Sequence, residues 1–283
     1  MDDADDRLIG HLRQWIGREE TNEDWVTPRL AAEFAAAFAP HLAPVEPSEA
    51  PLGLHWCLCP AIRPMAELGP DGHPSKDTGG FLPPVPLPRR MWAGGRVETF
   101  GPIRIGDAVL RRSRIGDVAL KRGRSGALCF VAVHHDYETP RGPAIRERHD
   151  IVYREAAGAA APPAPERPAP AADLERTVET PPTLLFRYSA MTFNGHRIHY
   201  DLPYATGTEG YPGLVVHGPI QATLLYNIAA LRLGRPPARF DYRGLSPVIA
   251  GSPVRVAAAD EDGGVRAWTE TAGRTAMEAR AHE

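Results

Sequence analysis

The chain reads as an α+β protein assembled from a duplicated unit, each copy a largely buried helix followed by an antiparallel meander. Three observations predict this. Residues 91–153 and 239–271 break into runs that alternate in polarity or are β-branched, separated by glycine turns, as half-buried strands do. Each run follows a strongly apolar segment, 52–68 in the first half and 219–233 in the second, long enough for a buried helix. Between the halves, residues 156–172 are dominated by Ala and Pro, a stiff composition poor in core-forming side chains.

That boundary divides the chain into an N-terminal lobe of residues 1–155, a linker of 156–172 and a C-terminal lobe of 173–283. Either lobe is large enough for its own core. The first opens with an amphipathic helix over 6–17, apolar at Leu8, Ile9, Leu12, Trp15 and Ile16. A second helix follows Thr27-Pro28, where threonine caps and proline suits the first turn, with Leu30, Phe34 and Phe38 at four-residue spacing. The apolar segment 52–68, containing His55-Trp56-Cys57-Leu58, is expected to be a buried helix interrupted by Pro60. Glycine and proline over 70–90 imply a long irregular loop, a kind of segment usually functional or disordered. Strands are expected over 97–100, 108–121, 127–137 and 144–153, with turns at Gly106-Asp107 and Arg124-Ser125-Gly126.

In the second lobe, 183–191 is apolar and strand-like. The helix over 219–233 is ended by Gly234 and Pro236-Pro237. Strands over 239–245, 253–259 and 265–271 follow, the last two joined by a hairpin at Asp262-Gly263-Gly264. Residues from Arg274 onward read as helical or frayed.

Composition excludes several functions. A net charge of −3 argues against nucleic-acid binding while leaving room for a local basic groove. The three cysteines, Cys57, Cys59 and Cys129, cannot form a disulfide framework, and Cys57-x-Cys59 lacks the neighbours a zinc site needs, so buried thiols are expected. No stretch reaches the ~18 apolar residues of a membrane span. An acidic start, Met1-Asp2-Asp3-Ala4-Asp5-Asp6, is unlike a targeting peptide, and a cytoplasmic location is expected.

Chemistry concentrates in two segments. In Gly213-Leu214-Val215-Val216-His217-Gly218-Pro219 a proline stands at a first helical position, where its missing N–H is no loss. Gly218 permits close approach of a ligand, and free amides at the positive end of the helix dipole would polarise a carbonyl oxygen. The same residues also fit an ordinary buried helix start. In Asn194-Gly195-His196-Arg197-Ile198-His199, two histidines join His217 as three imidazoles within 22 positions. A zinc site is weighed and set aside, since no fourth ligand is obvious, and no metal or cofactor is expected. Imidazoles that carry protons at neutral pH are the preferred reading.

The run Tyr188-Ser189-x-x-Thr192-Phe193-Asn194-x-x-x-Ile198-His199-x-Asp201, with Ala205 beyond it, resembles the signature of the (R)-specific enoyl-CoA hydratases, the MaoC-like proteins. In that family the pattern reads aromatic-Ser-x-x-Thr-Gly-Asp-x-Asn-Pro-Ile-His-x-Asp, and residues 213–218 resemble the start of its central helix. With Asp71-Gly72-His73-Pro74 and residues 87–95, the variant is similar to a narrower branch of mesaconyl-C4-CoA hydratases and type 2 3-hydroxyacyl-thioester dehydratases. The resemblance implies a double hot-dog fold, each lobe a long helix wrapped by an antiparallel sheet. It further implies an acyl-CoA thioester as partner, no nucleic acid or membrane, and a homo-oligomer, most simply a dimer.

For the site, the resemblance implies that His199 is the general base toward water and that Gly218 N–H binds the thioester oxygen. The family's aspartate position holds Asn194, which would orient the water; its glycine is Phe193, its asparagine His196 and its proline Arg197. An amide cannot exchange protons at neutral pH, so the family's Asp–His relay does not transfer as it stands. His196 is the reserve acid, and His217 lines the site. Arg197, Arg89 and Arg90 are candidates for a carboxylate or a CoA phosphate. Asp71-Gly72-His73 reads as loop structure, with a place for His73 at the site's border left open. A non-catalytic acyl-CoA-binding protein and a thioesterase are the competing functions.

Overall fold

Strand periodicity builds the scaffold. The computed structural model describes residues 3–76, 79–123, 126–155 and 171–283. Burial alternates residue by residue along Gly126–Thr139 (β4), as it must when side chains at i and i+2 share a face. Its neighbours Ala108–Gly123 (β3) and Gly142–Arg154 (β5) pair with it in antiparallel register. Arg89–Thr99 (β2) pairs with β5, and Glu19–Trp25 (β1) closes the edge against β3. The C-terminal lobe repeats the plan with Leu174–Val178 (β6), Arg239–Gly244 (β7), Val254–Glu261 (β8), Gly264–Thr271 (β9) and Arg274–His282 (β10).

All ten strands form one sheet in the order β1-β3-β4-β5-β2-β7-β10-β9-β8-β6. Read outward from the centre, each half runs second, fifth, fourth, third, first, so the duplication expected from the sequence is present in the topology. The halves meet where β2 pairs with β7, from Gly94 opposite Arg243 to Glu98 opposite Arg239. This is the α+β double hot-dog architecture.

Helix content is unequal between the lobes. Gly218–Leu233 (α4) is the long central helix of the C-terminal lobe, with Ile220 through Ala230 all buried and Gly234 ending it at φ 73°. It lies against β8, β9 and β10. In the N-terminal lobe the helix expected over 52–68 is instead two short 3-10 turns, Leu54–Cys57 and Met65–Glu67. Gly53 at φ 94° and Cys59 at φ 54° bracket the first turn in left-handed conformations, and Pro60 and Pro64 then withhold the donors a longer helix needs. Asp3–Leu12 (α1) and Pro28–Phe38 (α2) complete this lobe, α2 capped by Thr27 Oγ1, which accepts the Leu30 N–H at 3.1 Å. Phe34, Phe38 and the 54–57 turn pack into one core with α4. Asn227 of α4 ties the lobes directly, accepting from Ala43 N (2.9 Å) and donating to Leu52 O (3.0 Å).

Other expectations are corrected. Residues expected as a strand at 183–191 form a helix, Pro182–Met191 (α3), which buries Leu185, Tyr188 and Ser189 on one face after two prolines suited to its start. The C-terminus is β10, an interior strand between β7 and β9, although its Ala, Glu and Arg favour helix; pairing on both sides overrides that preference. Polar β1 and β6 were not expected as strands, and both lie at sheet edges, where polar side chains are tolerated. Arg89 and Arg90 open β2 rather than end the loop. The Ala/Pro linker falls almost wholly on residues 156–170, and the Arg124-Ser125 turn on 124–125, outside the described residues. No described helix is long and apolar enough to cross a membrane.

One buried charge locks the lobes together. Glu147 of β5 is fully enclosed, accepting from Trp56 Nε1 (2.6 Å) and Tyr242 OH (3.2 Å) and pairing with His149 Nε2 (2.7 Å). Burial alone would raise its pKa, but His149, with His55 and His135, outweighs burial and holds the carboxyl well below its usual range. Removing one partner of such a network strands the others without solvent. Glu147→Ala is therefore expected to lower folding stability by about 3–5 kcal/mol, measured by denaturant titration.

Candidate active site

Local backbone features bring the site together at the end of α3. Thr192 Oγ1 donates to Tyr188 O (2.7 Å), closing the helix, and Phe193 then turns the chain at φ 49°. That left-handed conformation suits glycine, so Phe193 holds it at some strain while its ring stays 62% exposed. Asn194 N–H donates to Ser189 O (2.9 Å), and Asn194 Oδ1 accepts the His196 N–H (3.1 Å). A 3-10 turn, Arg197–His199, follows and buries Ile198 and His199.

The segment before α4 clasps this turn. Val215 N–H donates to Ile198 O (2.9 Å), and His199 Nδ1 lies 2.7 Å from Val215 O. A carbonyl oxygen only accepts, so Nδ1 carries the proton and Nε2 keeps its lone pair. His217 stands at the N-cap position of α4 without a side-chain capping bond, its Nε2 hydrogen-bonded instead to Ser189 Oγ (2.9 Å). The rings of His199 and His217 stack at 3.5 Å and 16°, face to face rather than converging on a common ion. Burial lowers the His199 pKa to about 4, against the opposing effect of the Val215 bond and with His73 adding to the fall. Burial also pushes His217 well below its ordinary value, reinforced by His199 and His196. The resting site is thus a set of neutral imidazoles.

Gly218, the first residue of α4, meets the other lobe. A β-carbon there would stand 2.6 Å from Cε3 of Trp92 on β2, so only glycine lets the helix start approach that ring. Among the described residues nothing accepts a hydrogen bond from Gly218 N–H, which leaves the amide free at the positive end of the helix.

The irregular loop of the N-terminal lobe supplies the opposite wall. Asp71 O accepts from Arg197 N–H (2.9 Å), and Pro70 O accepts from Arg197 Nη1 (2.9 Å). Gly72, at φ 86°, lies so close to Gly195 that a β-carbon would stand 1.8 Å from its carbonyl oxygen. Asp71 holds His73 twice, accepting from its backbone N–H (3.0 Å) and from Nδ1–H (2.9 Å). The His73 ring lies 4.1 Å from that of His196, which in turn meets His199 edge-on at 5.3 Å. Asp71, His73 and His196 bring ligand-type atoms within 4.8 Å of one another. Both Asp71 oxygens are already engaged by His73, so the arrangement is a hydrogen-bonded dyad against a third imidazole rather than an open cage.

The three arginines expected to bind substrate have different fates. Arg197 donates to Asp201 Oδ2 through Nε (2.9 Å) and Nη2 (2.7 Å) and stacks on Tyr204, so its fork is spent on clamping the two loops. Arg89 is buried against Glu209 (3.0 Å) and lies over Tyr211. Of the three, Arg90 alone has no carboxylate partner among the described residues; its charge acts on Tyr153, His73 and His196. Glu209, Trp92, Ser189 and Val215 were not anticipated as parts of the site. A groove of about 940 Å³ on the more exposed face of the sheet, lined by Arg148, Asp241 and Arg280 among others, holds none of residues 188–218 and belongs to different surroundings.

With this geometry in hand, relatives decide the family. The sequence profile described as hydroxyacyl-thioester dehydratase type 2 matches residues 53–250. The chain belongs to that family. It is 44% identical over 246 residues to mesaconyl-C(4)-CoA hydratase of Chloroflexus aurantiacus, covering 86% of this chain and 87% of the relative. A mitochondrial hydroxyacyl-thioester dehydratase type 2 of Schizosaccharomyces pombe is 38% identical over 78 residues, 26% of each chain. HtdX of Mycobacterium tuberculosis superposes with a TM-score of 0.66 at 19% identity, over 94% of this chain and 99% of that one. A further M. tuberculosis protein described as a double hotdog gives 0.57 at 14% identity, over 94% and 95%. The latter two establish the fold, and family membership establishes a hydro-lyase acting on acyl thioesters.

A base must be unprotonated to work. With its pKa lowered to about 4, His199 is expected to keep its base form down to that pH and lose it as pH falls through that value. The His199 Cε1–H resonance, followed by NMR, is expected to titrate near pH 4 rather than near the ~6.5 of a free imidazole.

Proposed function

We propose that this protein adds water reversibly across the 2,3-double bond of an acyl-CoA whose acyl group bears a free carboxylate, of the mesaconyl-C4-CoA kind. The observation that carries the reading is the free Nε2 of His199 beside the uncapped start of α4. His199 Nε2 takes a proton from water as the hydroxyl oxygen bonds to Cβ. The π electrons move toward the thioester carbonyl, and the enolate oxygen receives the Gly218 N–H, a contribution on the order of 3 kcal/mol for one well-placed donor. The imidazolium then returns its proton to Cα, so water is added and the site is restored. Dehydration is the same path reversed. Asn194, whose Oδ1 holds the His196 N–H, shapes the turn that presents His199.

The carboxylate preference rests on Arg90. Among the described residues no carboxylate pairs with it; it is half-buried and its charge acts on His73 and His196, whereas Arg89 and Arg197 already hold Glu209 and Asp201. A guanidinium in that state gains most from a substrate carboxylate. The large identity to the mesaconyl-C(4)-CoA hydratase supports the same substrate class.

Two measurements test the proposal. Loss of enoyl-thioester absorbance is expected with mesaconyl-C4-CoA, and His199→Ala is expected to lower kcat by roughly 10²–10⁴-fold. Tight CoA-ester binding without turnover by the wild type would instead indicate a non-catalytic binder. Arg90→Gln is expected to raise KM for mesaconyl-C4-CoA by roughly 10–100-fold, the value of a charged hydrogen bond, while leaving crotonyl-CoA nearly unaffected. Equal effects on both substrates would remove Arg90 from carboxylate recognition.

A further inference from the structure

The proposed chemistry creates a problem that the C-terminal lobe does not solve. His199 must become an imidazolium in turnover, inside a site that burial makes hostile to positive charge. The signature position for a supporting carboxylate holds Asn194, whose oxygen is occupied by the His196 N–H. Asp201, the next carboxylate along the chain, is bound to Arg197 and to the Tyr204 N–H (3.1 Å). Among the described residues, the carboxylate that acts on the imidazole row, Asp71, comes from the other lobe.

Building on the hydratase reading, we propose that Asp71 and His73 of the N-terminal lobe are the missing half of the proton machinery, Asp71 acting through His73 as the counter-charge for the proton that His199 carries in turnover. The geometry supplies each link. Both Asp71 oxygens point at His73, so Nδ1–H of that ring is committed and its Nε2 lone pair is free. His73 lies against His196, and His196 against His199. The loop is held in place by two bonds from Arg197 and by the contact of Gly72 with Gly195, so carboxylate and base keep a fixed relation across the lobe boundary. Asp71 is a positioning residue in this scheme; it passes no proton to substrate.

The charges around the cluster set the pH behaviour. From the C-terminal lobe His217 and His196 face His199; from the N-terminal lobe come His73, Asp71, Arg90 and Lys76. Among these Asp71 alone is negative. Burial opposes its ionisation, but the hydrogen bond and charge of His73 outweigh burial and keep its pKa low. Burial, then Arg90, lowers His73 to about 4, and Asp71 resists that fall. Removing the anion therefore makes His73 and His196, which stand between it and His199, harder to protonate.

Asp71→Asn, with His73→Gln and Asp71→Glu beside it, tests the assignment on the full chain. Asp71→Asn is expected to reduce plateau kcat with mesaconyl-C4-CoA by roughly 10–100-fold with little change in KM, and to move the acid limb of the kcat profile to lower pH. His73→Gln is expected to reduce kcat similarly, and Asp71→Glu to restore part of it. A purely structural role would lower kcat without moving the acid limb. The histidine Cε1–H titrations, read in the absence of substrate, are expected to shift downward in Asp71→Asn, which keeps the test independent of turnover. Wild-type kcat and unshifted titrations in folded Asp71→Asn and His73→Gln would overturn the proposal and leave the hydratase reading intact. A wild type that hydrates no enoyl-CoA, yet shows the histidine shifts, would overturn the hydratase reading and keep the electrostatic coupling.

Discussion

The two-way clasp between residues 198–199 and Val215 is the constraint from which the site follows. Val215 gives its N–H to Ile198 O and takes the Nδ1–H of His199, so both backbone polar groups of one residue are used on one turn. The first bond sets the distance between the Arg197–His199 turn and the approach to α4. The second selects the tautomer, and with it which nitrogen can act as base. The stacking of His199 on His217 and the placing of His217 at the helix start both require that approach. Neither bond involves a reactive atom, yet losing either would free the imidazole to rotate.

Duplication explains how two lobes come to share one site. Each contributes five strands in the same order, but only the C-terminal copy keeps a long central helix. The N-terminal copy sets α2 and the 54–57 turn against α4 instead of wrapping a long helix of its own. Its β2 then meets the start of that helix through Trp92, and its long loop reaches the 194–201 turn. The lobe without a long helix thereby serves as a wall for the other, joined through the β2–β7 pairing and the enclosed Glu147.

Much of this was legible in the residues. The α4 segment combines a proline at its start, a left-handed glycine at its end and unbroken apolar burial, so three independent signals agree. Interior strands with alternating polarity were equally readable. Failures came where local preference and tertiary context part: β10 is rich in helix formers but is paired on both sides, and β1 and β6 are polar because edges permit it. At the site, the histidines and Gly218 were visible as a motif, while the fates of the arginines were not. Arg89 and Arg197 are neutralised by Glu209 and Asp201, and the Arg89–Glu209 pair spans 120 positions, beyond the reach of any spacing argument. Asp71-x-His73 carried a short-range signal, a carboxylate two residues from an imidazole, but its proximity to His196 exists only after the lobes dock.

Asn194 makes physical sense in that setting. Two carboxylates sharing a buried site cannot both ionise cheaply, and the pKa of one rises sharply. With Asp71 already facing the imidazole row, an aspartate at 194 would bring a second negative charge to the turn whose backbone begins the same row. An asparagine accepts the His196 N–H through the same oxygen position, preserving the turn without the charge. Phe193 is consistent with this division: the turn is held by local hydrogen bonds firmly enough to keep a bulky residue left-handed, where the related signature uses glycine. Shape is then retained in one lobe while charge is supplied by the other, and the interface between them becomes part of the chemistry.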